Sequence, residues 1–156
     1  MARQHNLDKA DIQILNLLQQ DARMELEVIS RQVFKSPSSV SERIRKMQQQ
    51  GVILGYVAVV DGEKVGRPLL AITHVSLSVH TKTALDAFRQ QASAITEVGM
   101  CLHVSGPCDF ILHIAVSGTD AYYQLLMEKI CCNPKVSHVD TCFVLMACKA
   151  GAPYLL

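Results

Sequence analysis

The chain has 156 residues, 49% of them apolar, with 15 Lys and Arg against 14 Asp and Glu. That length admits one or two domains with a real apolar core, and no apolar run is long enough to cross a bilayer. The start, Met1-Ala2-Arg3-Gln4-His5-Asn6, lacks the apolar core of an export signal, so a soluble cytoplasmic protein is expected, with its six cysteines mostly reduced.

Charge is distributed unevenly. The segment through Val60 carries a net +2 and the remainder −1. The sign suits nucleic acid, but the excess is small. Cations on phosphates supply most non-specific DNA affinity, so one copy should bind weakly, and repeated copies in an oligomer would raise the effective concentration.

Three short helices are expected first. Asp8 caps the opening one, Asp11 places negative charge in its first turn, and Ile14, Leu15 and Leu18 form its core face. Asp21-Ala22-Arg23 marks its stop. Residues 25–33 read as the second helix, with Val28, Ile29 and Val33 inward, and Phe34-Lys35 as the turn that follows. The third has a clear start: Ser36 caps, and Pro37 suits the first helical position, where its missing N–H costs nothing. Gln50-Gly51 ends it. A tight link between the last two of three helices predicts a helix-turn-helix. Residues 53–61 are rich in β-formers and predict a strand or wing.

The third helix also shows what it presents. Val40, Ile44 and Met47 form one apolar stripe at i, i+4 and i+7. At 100° per residue Ser38, Glu42 and Arg45 point roughly opposite, with Ser39 and Lys46 beside them. A helix with one narrow apolar face and short hydroxyls and cations on the other can enter a major groove of double-stranded DNA. The bland alternative is a solvated helix face. Arg43 lies nearer the core edge, suited to a phosphate or a neighbouring carboxylate.

Beyond a linker at residues 61–68, which holds Gly62, Gly66 and Pro68, the rhythm changes. Strands are expected at 69–79, 98–104, 110–116 and 136–146, and helices at 83–92 and 120–130. In the first strand Leu70, Ile72, His74, Ser76 and Ser78 alternate with Leu69, Ala71, Thr73, Val75, Leu77 and Val79. Thr81 or Thr83 can cap the first helix. The order βαββαβ is the ferredoxin-like split-βαβ plan. The fold class expected is therefore α+β, with domains at 1–60 and 69–150.

The run Leu7-Asp8-x-x-Asp11-x-x-Ile14-Leu15-x-x-Leu18-x-x-Asp21-x-Arg23 resembles the opening of the Lrp/AsnC (leucine-responsive, feast/famine) transcriptional regulators. Ser36-Pro37-Ser38-x-Val40-x-x-Arg43-Ile44-x-Lys46-Met47 and Gly51-Val52-Ile53-x-Gly55-Tyr56-x-Ala58 are similar to their recognition helix and the segment after it. The likeness resumes at Gly106-x-x-Asp109-Phe110 and Val136-x-x-x-x-Thr141, so it spans nearly the whole chain. It implies a winged helix-turn-helix that binds DNA through Ser36, Ser38, Ser39, Glu42, Arg43, Arg45 and Lys46. It also implies a C-terminal RAM domain that builds a dimer, stacks it into a tetramer or octamer, and binds a small amino-acid effector between protomers. Ser105, Gly106 and Asp109 are the effector residues it suggests, with Thr141 from a nearby strand or a neighbouring subunit. A glycine turn lets backbone N–H groups approach a carboxylate, and Asp109 can orient the loop or meet an ammonium group. The alternative is a plain β-hairpin turn. Five positions depart from the family pattern: Pro107 and Cys108 stand where an acidic residue and an aromatic are usual, Ile29 where a small residue is, and Phe34 where glycine or asparagine is. Lys35 replaces a usual leucine. Either the turn requires positive φ and Phe34 is strained there, or the turn is reshaped.

Other chemistries fare poorly. Cys101, Cys108, Cys131, Cys132, Cys142 and Cys148 show no C-x2-C spacing, so no metal site is expected; most read as small core hydrophobes, with Cys108 the readiest to oxidise. His74 and His113 lie on expected strands and read as core or interface residues. No phosphate loop, G-x-S-x-G elbow or H-E-x-x-H pair occurs, so neither an enzyme nor a cofactor is expected. The competing function is an oligomeric ligand-binding module whose degenerate helix-turn-helix does not bind DNA.

Overall fold

The computed structural model describes residues 6–148. They divide into two compact units, one through Ala58 and the other Val59–Cys148. In the first, α1 (Lys9–Gln20), α2 (Leu26–Val33) and α3 (Pro37–Gln49) enclose Ile14, Leu15, Ile29, Val33, Val40 and Met47. Local chemistry sets the ends of α1 and α3. The Asp8 carboxylate accepts from Asp11 N–H at 2.9 Å while Asp11 accepts from Asp8 N–H at 3.1 Å, so two orphan donors are satisfied reciprocally. Ser36 Oγ accepts from Ser39 N–H at 3.3 Å, directly ahead of Pro37. Gly51, at φ +71°, turns the chain out of α3.

Two expectations fail in this unit. Val28 does not face inward; it is 38% exposed, and Ser30 is buried instead, its hydroxyl donating to Glu27 C=O at 2.8 Å. The inward arc of α2 is Ile29, Ser30 and Val33, and Val28 lies roughly 145° from its centre at 100° per residue. No strand or wing forms at residues 53–61. Val52 and Ile53 pack on the helical core, but Leu54, Val57 and Val59 are exposed, and among the described residues no strand pairs with this segment, so it has no ladder to join.

The second unit is a four-stranded antiparallel sheet of β1 (Leu69–Leu77), β2 (Val98–His103), β3 (Phe110–Val116) and β4 (Val136–Phe143), in spatial order β2-β3-β1-β4. Helices α4 (Lys82–Ser93) and α5 (Thr119–Leu125) cover one face, so the chain order is the expected βαββαβ. Thr81 is the α4 cap. Ala71, Thr73, Val75 and Leu77 of β1 and Phe110, Leu112, Ile114 and Val116 of β3 supply the buried face against Phe88, Tyr122, Leu125 and Ile130.

The strand and helix ends differ from expectation for tertiary reasons. β1 stops at Leu77, where its register with β4 slips, and Val79 is exposed. β4 stops at Phe143, beyond which Val144 N–H still donates to Leu70 C=O at 2.9 Å, and Leu145 and Met146 are exposed. The last helix does not continue as α but widens into a π turn, Leu126–Ile130, closed by Cys131 N–H on Leu126 C=O at 2.7 Å. In an unbroken α-helix Lys129 would follow Tyr122 and Leu125 on the core face. The extra residue brings in Ile130, which is buried, and leaves Lys129 outside, 3.1 Å from Glu97. That ion pair holds the Glu97 carboxyl below its usual range.

Candidate functional site

In the helical unit the seven polar residues expected on α3 and its cap take four different placements. Ser38 and Arg45 are exposed on the face turned away from Val40 and Met47. Ser39, Glu42 and Lys46 line a groove of about 470 Å³ shared with Asp8 and Asp11 at the start of α1. Ser36 is occupied as the cap, its hydroxyl also 3.1 Å from Ser38 Oγ. Arg43 points to α1, where Nη1 donates to Asp8 Oδ2 and Asp11 Oδ1, both at 2.7 Å. Those two carboxylates raise the Arg43 pKa, Asp11 foremost. The Asp8 carboxyl is held below its ordinary value, first by Asp11 N–H and then by the Arg43 guanidinium. Arg43 is thus a brace between α1 and α3. Gln49 is also exposed on the polar face, a residue the sequence reading passed over although its helical angle already showed it.

In the sheet unit the Val104–Asp109 stretch closes the β2–β3 hairpin, with Val104 N–H on Asp109 C=O at 3.0 Å. Gly106 has φ +140°, a conformation L side chains rarely adopt, so the glycine is required there. Asp109 does more than end the hairpin. Its N–H donates to Val75 C=O at 3.0 Å, and its carboxylate accepts from Leu77 N–H at 2.7 Å. His80 Nε2 lies 3.0 Å from Asp109 Oδ1. The turn carrying Ser105 and Gly106 is therefore fastened to the end of β1. Nothing local marks His80 as a partner, because the pairing crosses 29 residues.

Thr141 does not join that turn within one chain. It pairs with Thr73 in the β1–β4 ladder, on the helix-covered face, where the Tyr122 hydroxyl bridges Thr73 and Thr141. The turn instead attaches at Val75 and Leu77, farther along β1.

The cysteines also depart from expectation. None of the six is fully buried: Cys131, Cys132, Cys142 and Cys148 are exposed, and Cys101 and Cys108 are intermediate. Strand alternation sends Cys142 to the bare side of the sheet, and Cys131 and Cys132 lie past the π turn. Cys108 is thus less open to oxidants than four others. Burial pushes the Cys101 and Cys131 thiols up, away from the reactive thiolate. His74 and His113 lie on the bare sheet face; His113 is exposed and His74 is 3.9 Å from Asp140. Among the described residues no three His, Cys, Asp or Glu side chains gather as a metal site, and no helix is long and apolar enough to cross a membrane.

A helix-turn-helix with a polar recognition helix, carried on the same chain as a split-βαβ unit, defines a DNA-binding regulator with a ligand-binding domain. Residues 7–48 match the AsnC-type helix-turn-helix domain and residues 70–154 the Lrp/AsnC ligand binding domain. The proline dehydrogenase transcriptional activator of Rhizobium radiobacter is 33% identical over 152 residues, covering 96% of this chain and 97% of that one. The leucine-responsive regulatory protein of Haemophilus influenzae is 32% identical, covering 92% and 86%. Among solved structures, a Neisseria meningitidis transcriptional regulator in complex with L-Met superposes with a TM-score of 0.88 at 27% identity, over 95% of this chain and 96% of that one. The chain belongs to the Lrp/AsnC family and is a DNA-binding transcriptional regulator.

Proposed function

We propose that this regulator binds double-stranded DNA through α3 as a homo-oligomer, and that a free amino acid bound between copies changes its assembly or its DNA affinity. The observation that carries this reading is the bare second face of the sheet. Leu70, Met100 and Leu102 are each more than 40% exposed there. Such a face is self-complementary about a two-fold axis and suits a dimer, which can stack into a tetramer or octamer. Two helix-turn-helix units on one dimer suit half-sites spaced by a DNA turn. In this reading Ser38, Ser39, Glu42, Arg45 and Lys46 meet the groove, Ser36 sets the helix start, and Arg43 braces α3 for them. The domains are 1–60 and 69–150, joined by 61–68.

The effector site comprises Ser105, Gly106 and Asp109 of one copy. The Gly106 backbone leaves the turn open to a carboxylate, and Asp109 holds the turn in place. Thr141, engaged with Tyr122 in its own chain, reaches the ligand only from a neighbouring copy. The L-Met complex of the Neisseria regulator supports an amino acid as the ligand class. A regulator of DNA acts in the cytoplasm, and no step here asks for catalysis or a cofactor.

Size-exclusion chromatography with light scattering, repeated with each of the twenty amino acids, tests both halves. We expect a dimer or larger species and at least one amino acid that changes it, with Gly106→Val abolishing the response. A monomer at micromolar concentration overturns the assembly, and no shift in melting or assembly at millimolar amino acid overturns the effector. Gel retardation tests α3. If Arg45→Ala and Lys46→Ala both bind as wild type at low salt, the recognition helix is misassigned.

A further inference from the structure

Phe34 is the one non-glycine residue with positive φ among the described residues, at φ 53° and ψ 47°. The turn needs that conformation: it lets Lys35 N–H close on Ser30 C=O at 3.1 Å and swings the chain into Ser36, the cap of α3. It does not need a phenylalanine. Glycine or asparagine holds a left-handed helix end at less cost, and a bulky side chain there is a genuine outlier. Nor does the core need it, because Phe34 is 90% exposed. The chain thus carries a large aromatic at an unfavourable backbone position where it contributes little to packing.

Its surroundings point to what it meets. Arg31, one helical turn earlier, and Lys35, the next residue, are both exposed, and Ser36 and Ser38 begin the recognition helix just beyond. An aromatic flanked by two cations beside a groove-reading helix suits the edge of a DNA duplex, where phosphates meet the cations and apolar surface is offered by the C5-methyl of thymine. We infer that Phe34 is a specificity-determining residue that makes an apolar contact with a thymine methyl at the margin of the α3 footprint. This rests on the DNA-binding reading and adds a base preference to it.

The test uses the full-length oligomer. Wild type selects duplexes from a randomised pool, and its affinity for the best one is measured with each thymine replaced in turn by deoxyuridine, which removes only the methyl group. Wild type should lose about tenfold at one thymine near the α3 footprint. Phe34→Gly and Phe34→Asn should melt higher than wild type because the turn is relieved. They should nevertheless bind the thymine duplex about tenfold more weakly and be indifferent to deoxyuridine at that position, while Phe34→Tyr keeps the wild-type profile. If the glycine and asparagine variants match wild type in affinity and in their deoxyuridine profile, Phe34 makes no such contact. If wild type itself retards no member of the pool at low salt, the DNA-binding reading fails, and this inference with it.

Discussion

The helical unit and the sheet unit bury their apolar residues in opposite ways. Through α3, six buried side chains from three short helices close a small core, and the outer face of α3 is polar. In the sheet unit, thirteen buried residues fill the space between one sheet face and two helices, while the other face leaves Leu70, Met100 and Leu102 in solvent. The three helices close the first core among themselves, and the outer face of α3 presents charge and hydroxyls. The second is unfinished until something apolar covers it. In the proposed reading, one part of the molecule meets DNA and the other meets a copy of itself.

The sharpest way to break this comparison is to weaken one core and watch the other. Ile29 is fully buried, one of six buried residues in that core among the described residues. Ile29→Ala should cost about 2–5 kcal/mol through lost burial and a residual cavity. A core that small has little to spare. Circular dichroism and gel retardation against temperature should show DNA binding lost early, while self-association by the sheet unit persists. Leu112→Ala, of comparable cost, should do the reverse by loosening the larger core. A single transition displaced equally by either variant would mean that the two units unfold as one.

The same contrast explains what could be read from the residues alone. The ends of α1 and α3 were legible because their determinants lie within a few positions: Asp8 with Asp11, and Ser36 with Pro37 and Ser39. At Phe34 the residues left two alternatives, a strained positive φ or a reshaped turn, and the structure has the positive φ. In the sheet unit, alternation in residues 69–77 gave the strand and its buried face. Where β1 ends depends on its register slip against β4 at Leu77, and the π turn at Leu126 depends on which residue must face the sheet. The segment at 53–61 has the composition of a strand but no partner among the described residues, and composition alone does not supply one. Of the candidate effector residues, Gly106 and Asp109 stood out by type. Their fastening to Leu77 and His80, and the engagement of Thr141 with Tyr122, are long-range contacts with no local signature.

A smaller perturbation sharpens the description of the sheet unit. Thr73 is fully buried, and its hydroxyl reaches the Tyr122 hydroxyl at 2.9 Å, which also meets Thr141. Tyr122→Phe keeps the ring and its edge-on contact with Phe143 but removes the partner of a buried hydroxyl. Leaving that group unsatisfied should cost about 1–3 kcal/mol, confined to the sheet unit. Denaturant titration of the sheet-unit transition checks it. The variant also frees Thr141, so a change in effector affinity beyond the stability loss would tie Thr141 to the ligand. Unchanged stability would mean that the Thr73 hydroxyl finds another acceptor.

The smallest effect lies at the brace of the helical unit and appears only as a dependence on pH. Asp8 has a folded pKa below its unfolded value, held there first by Asp11 N–H and next by Arg43. A depressed carboxyl stabilises the fold at pH above its unfolded pKa, and that contribution is lost as pH falls through the folded value, below the ordinary carboxylate range near ~4. The helical unit should therefore weaken on acidification through that window. Arg43→Ala should shrink this loss without abolishing it, because Asp11 N–H, the larger cause, remains. It should also destabilise the unit slightly at neutral pH, since both carboxylates then face each other without a cation. Added salt should blunt the wild-type pH dependence more than the variant's, because the pair lies close to solvent. The measurement is the melting temperature of the helical unit against pH at two ionic strengths for both proteins. Superimposable acid limbs would show that Arg43 contributes nothing to the Asp8 charge, leaving the reciprocal cap of α1 as its sole support.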